Sequence, residues 1–355
     1  MSPAHSSRGH GLSDWLHQWP VLTRRNLAVW FADTANLALN VLQAPLIAVL
    51  ILCAFQGVAL DTLRSDQFAR TIYEFERRIE PYRQSRNSAR VDNLIQEAAK
   101  TAESDQIHTG PAAAQRRGAI YFALVAAGIW FGTLGACREI VAEKHILKRE
   151  VRTCMNLGPY LGSKALMQIL LTGVQTALLV LVVDLFLLKL DTPHAARLWG
   201  VIWLVAVASA SLGLLVSCLA PTHRVALTAV PLLMLPQLLF GGMMRPPAEL
   251  ALGSTWTQAA STVTIQYWGF RSALETVSPV EKIILKERLR AGSWEQLPYE
   301  KFGEFNIVSF DEIRLAEAFF PDRKSTQGVR PDIPLMLAIA LFLFAGYFVL
   351  RHRYL

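Results

Sequence analysis

Charged side chains of both signs crowd one short stretch, REIVAEKHILKREVRTCMNLGPYLGSK, from Arg138 to Lys164. Glu139, Glu143 and Glu150 stand among Arg138, Lys144, Lys148, Arg149 and Arg152. Ile140, Val141, Ile146, Leu147 and Val151 recur between them at approximately helical spacing, which predicts a short amphipathic helix. Each Lys, Arg or Asp at a bilayer centre costs roughly 2.5–3.5 kcal/mol, so the stretch belongs at a membrane face and not in hydrocarbon. A helix that merely anchors to lipid is mostly basic, and carboxylates here would be repelled by anionic headgroups. The chemistry this pattern fits is docking, against a protein with a charge pattern of its own.

Catalytic patterns are absent from these residues. There is no G-x-x-x-x-G-K-[ST], no H-E-x-x-H and no G-x-S-x-G. The eight histidines are scattered without metal-ligand spacing. No intrinsic enzymatic activity, no metal and no cofactor on this chain are therefore expected. Gly241-Gly242 reads as a packing or hinge site, not a phosphate loop.

The elements that position the charged stretch are apolar runs. Of 355 residues, 52% are hydrophobic and 18% charged, against about 25% charged in a typical soluble domain. Six runs approach the roughly 20 residues that cross a bilayer as a helix: Leu37–Phe55, Ala119–Cys137, Ala165–Leu188, Leu198–Leu219, Val225–Met244 and Pro334–Leu350. Residues 1–34 hold Arg8, Arg24 and Arg25 without an early apolar stretch, so the first span is expected to serve as its own insertion signal. Cys53, Cys137, Cys154 and Cys218 all lie outside the two long loops, so no disulfide framework is expected there.

With the N-terminus inside, Arg138, Lys144, Lys148, Arg149, Arg152, Lys164, Arg224, Arg351 and Arg353 fall on the cytoplasmic side, a positive-inside bias that also places the C-terminus inside. The net charge of +7 thus reflects topology, and nucleic acid is excluded as the expected partner. Absent sequons and loop disulfides fit a bacterial inner membrane.

Trp15, Trp19, Trp30 and Phe31 beside Arg24, Arg25 and Asp33 fit either an interfacial helix or an ordinary pre-span flank. Residues 56–118 read as an extracytoplasmic insertion, a helical hairpin broken at Pro81. Its role is either a solvated spacer or a substrate-gating or partner-binding cap. Asn40, Gln43, Gln168 and Gln175 are polar residues within spans, so they either line a pathway or join helices by hydrogen bonds. Asp184 sits near an outer end. Pro246 to Trp268 is too rich in Ser, Thr and Gln for a lipid-facing span and predicts an outer re-entrant helical pair. A seventh span is the alternative, and would strand Arg351 and Arg353 outside. Within the second long outer loop, about 245–333, residues 279–330 are again polar, with helix-like pieces at Val280–Arg290 and Phe310–Phe319. The expected fold class is all-α and polytopic: a cytoplasmic tail and interfacial helix over 1–34, a membrane domain over 35–55 and 119–355, and the insertion between them.

Three blocks resemble the permease half of type-2 ABC exporters, close to the G (white-type) subfamily. The first is R-E-x-x-x-E-K-x-x-x-K-R-E with N-L-G-P-Y-L-G-S-K, similar to the family's cytoplasmic coupling helix and the entry to span three. The second is Leu239-Phe240-Gly241-Gly242-Met243-Met244, similar to the end of span five, where Met243 and Met244 match the apolar pair closing the outer end of the substrate path. The third, Gln266 to Leu274, is similar to a Y-G-F-x-A-L motif through Tyr267, Gly269, Phe270 and Leu274. Subfamily members normally carry an ATPase domain on the same chain and a shorter first outer loop. The resemblance therefore implies a separate ABC ATPase chain holding ATP and Mg, or a piece of a longer protein.

It further implies a second permease half in a homo- or heterodimer, and an apolar or amphipathic substrate such as a lipid, glycolipid, polymer or drug. Glu139, Glu143, Lys144, Arg149 and Glu150 become the expected ATPase contacts. A non-transporting membrane scaffold presenting its outer helical domain is the alternative. An ion-coupled transporter would want midplane carboxylates, and only Asp184 approaches that.

Overall fold

The computed structural model describes residues 12–55, 111–152, 155–243, 255–277, 282–288, 308–320 and 330–354. Helix α1 (Leu12–Ala32) leads through a single non-helical residue, Asp33, into α2 (Thr34–Phe55). The Asp33 carboxylate accepts from the Asn36 backbone N–H at 3.2 Å, a local cap that starts the new helix. The following elements are α3 (Pro111–Ala136), the short α4 (Glu139–Ala142) and α5 (Lys144–Arg152). Then come α6 (Leu157–Val183), α7 (Thr192–Leu219), α8 (His223–Phe240), α9 (Thr255–Val263), α10 (Ile265–Val277), α11 (Leu315–Phe319) and α12 (Asp332–Tyr354).

Six helices among the described residues are long and apolar enough to span a membrane. The 22 residues of α2 rise about 33 Å at 1.5 Å per residue, enough for about 30 Å of hydrocarbon. The membrane body is all-helical, as expected.

The span boundaries shift for physical reasons. Span three begins at Leu157, eight residues before the expected Ala165, because Lys164 is buried by pairing and so does not mark an end. Pro159 sits in the first turn, where its missing N–H costs no helical bond. Span five stops at Phe240 rather than Met244, although it accommodates Pro231 and Pro236. Gly242 then turns the chain with φ +93°, a backbone conformation that favours glycine. Span six extends to Tyr354 because Arg353 Nη1 donates to the Cys218 carbonyl at the end of α7, 2.8 Å away.

Asp184 opens one π-helical turn, Asp184–Leu188, and its carboxylate accepts from the Leu190 N–H at 2.8 Å, closing the end of span three.

The stretch expected to form the re-entrant pair holds two helices, α9 and α10, broken at Thr264; its beginning lies outside the described residues, as does nearly all of the 56–118 insertion with its expected hairpin. One expectation is corrected. The piece around Val280–Arg290 is no helix: β1 (Lys282–Arg288) pairs antiparallel with β2 (Val308–Arg314), with Ile283 opposite Ile313. The Phe310–Phe319 piece likewise divides into strand up to Arg314 and helix after it. Pairing between segments far apart in sequence overrides the local helical pattern.

The core sits between α3, α7 and α10. A Cβ on Gly132 would collide with the Ala206 carbonyl oxygen and lie 2.7 Å from Ala210 N. Gly213 approaches the Thr133 carbonyl in the same way. Gly128 and Gly132 thus form a G-x-x-x-G face that lets the α3 and α7 backbones touch. The motif residues Tyr267, Gly269, Phe270 and Leu274 belong to this packing. A Cβ on Gly269 would lie 2.6 Å from Val205 Cγ2, and Leu274 is fully buried. Phe270 meets Phe122 and Phe319 edge-on at centroid distances of 5.4 and 5.2 Å.

Candidate functional site

The charged stretch folds as two helical pieces, α4 and α5, that break at Glu143, where one short helix was expected. A serine in an apolar span fixes the first piece. Ser217 Oγ of α7 accepts from the backbone N–H groups of Ile140 and Val141, at 3.0 and 2.9 Å. It thereby satisfies two orphan donors at the start of α4. Nothing local in the sequence marks Ser217, because its partners lie more than seventy positions away. Ser217→Ala removes one acceptor from two buried donors, at an expected cost of about 1–3 kcal/mol. The melting temperature of the purified chain should fall accordingly, and Ser217→Thr, which keeps the hydroxyl, should recover most of it.

The carboxylates turn inward. Lys164 of α6, 4% exposed, places Nζ 2.8 Å from Glu143 and 3.3 Å from Glu139. Tyr160 Oη donates to the other Glu143 oxygen at 3.1 Å. Glu150 of α5 accepts from Arg25 Nη1 of α1 with both oxygens, at 2.7 and 2.9 Å. Donating this hydrogen bond to Glu150 raises the Arg25 pKa, against the opposing effect of burial. The Arg25 and Glu150 side chains remain 38% and 25% exposed, so this contact is worth about 0–1 kcal/mol. The Lys164 pairs, screened from water, are the stronger anchor. Helix α1 seals the assembly: Gln18 accepts from the Asn156 N–H at 2.9 Å and Asn26 donates to Ser163 at 3.0 Å. These contacts hold α1 against the start of α6.

Of the five expected ATPase contacts, only Arg149 is exposed; Lys144 reaches the Pro221 carbonyl at 3.4 Å, and Glu139, Glu143 and Glu150 are engaged by their own chain. The exposed face is His145, Ile146, Lys148, Arg149 and Arg152. It is cationic, where the composition of the stretch suggested mixed charge.

The intramembrane polar residues divide. Gln175 Nε2 donates to the Asn40 carbonyl at 2.7 Å, an inter-helix bond from α6 to α2. The Asn40 side chain accepts from Arg138 at 3.1 Å. Gln168 is buried against Gly135, with neither Nε2 nor Oε1 partnered among the described residues. Gln43 is half-buried.

At the C-terminal end of α8, Gln237 Oε1 accepts from the Gln266 N–H at 3.0 Å, and Gln266 Nε2 donates to the Phe122 carbonyl at 3.1 Å. The two bonds lock α8, α10 and α3 together. Met243 is half-buried against the core just beyond, and Met244 lies outside the described residues. Among the described residues, no three His, Cys, Asp or Glu side chains converge to hold a metal.

Comparison with known proteins agrees with this architecture. A family model described as ABC-2 type transporter matches residues 17–277. A curated ABC transporter ATP-binding/permease protein of Mycobacterium tuberculosis is 26% identical over 173 residues, covering 47% of this chain. The match spans 19% of that relative's own length. With six helices of spanning length and the family matched over most of its length, this chain is an integral membrane protein and belongs to the ABC-2 type transporter family.

Proposed function

We propose that the chain is the permease half of an ATP-driven exporter of apolar or amphipathic substrates, energised by a separate ATPase that docks on α5. The observation that carries this is the division of labour in α4–α5. One side is bonded into the bundle through Ser217 and Lys164, while the other offers an exposed helix face at the membrane surface. A helix held on one side and exposed on the other can pass a partner's motion into the spans. The relative's name joins ATP-binding and permease in one protein, which supports an ATPase partner.

The likeness to the G subfamily, an outer gate at Met243 and Met244, a second permease half, and a bacterial inner membrane with both termini inside belong to the same reading. The ATPase surface receiving α5 should be acidic, because the exposed face is cationic.

Gentle detergent extraction of this chain should co-purify an ATP-binding protein, and recovery of none would defeat the reading. Reversing Lys148 and Arg149 together to Glu should lower that recovery at least tenfold. Each reversed charge changes the sign of an interaction of roughly 1 kcal/mol at 4 Å in water. Recovery unchanged by the double reversal would place the contact elsewhere. Substitutions at Glu143 would read anchoring to Lys164 and so do not test docking.

A further inference from the structure

Behind the α4–α5 anchor lies a cavity of about 120 Å³, walled by α1, the Asp33 joint, the start of α2, α4 and α6. Its charges are unbalanced. Asp33, Glu139 and Glu143 line it against a single cation, Lys164. Arg138 adjoins the wall, donating to the lining residues Asn36 and Asn40 at 2.9 and 3.1 Å, so the three carboxylates face two cations in all. Lys164 is already divided between Glu139 and Glu143, and Arg138 is bonded to the two asparagines, so one formal negative charge remains for an occupant. The rest of the lining is not that of an ion cage. Trp30, Leu37 and Met167 contribute aromatic and apolar wall. A bare divalent cation wants six or more oxygens, and no three-ligand cluster exists among the described residues. A cation carrying methyl or methylene groups gains from both kinds of wall: the carboxylates attract its charge, and the apolar and aromatic side chains take its methyl groups, with cation–π attraction available from Trp30.

Depth narrows the occupant further. The cavity sits where α1 meets the first turn of the first span, level with the charged α4, and so at headgroup height. We propose that this cavity binds the ammonium head of an amphiphile, primary or quaternary, with its chain leaving toward the hydrocarbon past Leu37. Asp33, exposed and with its side chain bonded among the described residues to the Asn36 N–H alone, is the carboxylate best placed to meet the head. This site does not depend on whether the chain transports anything.

The test uses the full chain in maltoside micelles, without an ATPase. The probes are two spin-labelled amphiphiles of equal chain length, one with a trimethylammonium head and one with a sulfonate head. The expected result is a saturable, immobilised spectral component for the ammonium probe alone. Asp33→Asn should weaken its apparent affinity about tenfold. Trp30→Leu, which leaves every charge in place, should weaken it at least threefold and keeps the test decisive should an acidic variant fold poorly. Equal immobilisation of the sulfonate probe, no saturable component, or affinities untouched by both variants would overturn the proposal.

Discussion

Lys164→Met is expected to release α4–α5 from the bundle. The substitution keeps most of the side-chain volume and removes the one cation that Glu139 and Glu143 share. Two carboxylates of about one-quarter exposure or less are then left facing each other and the Tyr160 hydroxyl. Removing one partner of a buried pair costs about 3–5 kcal/mol, and partial exposure of the acids puts the expected loss near the lower end. Thermal unfolding in detergent should show a clear drop, and limited proteolysis should cut sooner between Arg138 and Arg152. The triple variant Lys164→Met, Glu139→Gln, Glu143→Gln should regain much of the loss, because it removes the unpaired charges along with the pair. A single variant of wild-type stability, or a triple variant no better than the single, would show that the cluster is not an anchor.

Among the described glycines, Gly132→Ala should be the most damaging added methyl. The new Cβ meets backbone on α7, the Ala206 carbonyl oxygen and Ala210 N, not the end of a flexible side chain. The helices must therefore separate, and over-packing of this kind costs about 1–3 kcal/mol or more. Gly132→Val should reduce the yield of folded protein severely. Gly200→Ala supplies the control on the same pair of helices, since nothing lies within 4 Å of its Cβ. There the helix should gain up to about 1 kcal/mol from lost backbone freedom in the unfolded chain. If both alanines behave alike in a melting experiment, the close crossing of α3 and α7 is not what holds the bundle.

The spans were legible because a bilayer imposes length and apolarity on a contiguous run, a local property of sequence. Their ends were not, because Lys164 and Arg353 are charges satisfied by residues far away in the chain. The Arg138–Lys164 stretch was readable as a surface helix but not as to which charges face inward. A signal was present: Glu139, Glu143, Leu147 and Glu150 follow i, i+4, i+8, i+11, the same side as a buried leucine. The break at Glu143 obscured that regularity. The G-x-x-x-G at Gly128 and Gly132 was equally readable and decides the tightest packing in the core. Ser217 was out of reach, since one hydroxyl in an apolar span has no local signature. The β1–β2 ribbon eluded the sequence for the same reason: register between distant segments outweighs helical spacing within one of them.

The break at Glu143 makes α4–α5 a jointed arm with two separate attachments. Its first segment is pinned to α7 by Ser217, and its second is held to α1 by Glu150 and Arg25. At the elbow, Glu143 grips α6 through Lys164 and Tyr160. A load on α5 is therefore not shared evenly by the bundle. It falls on α1, α6 and α7 at these three points, and because Glu143 and Lys164 of the elbow also line the cavity, the arm and the cavity change shape together.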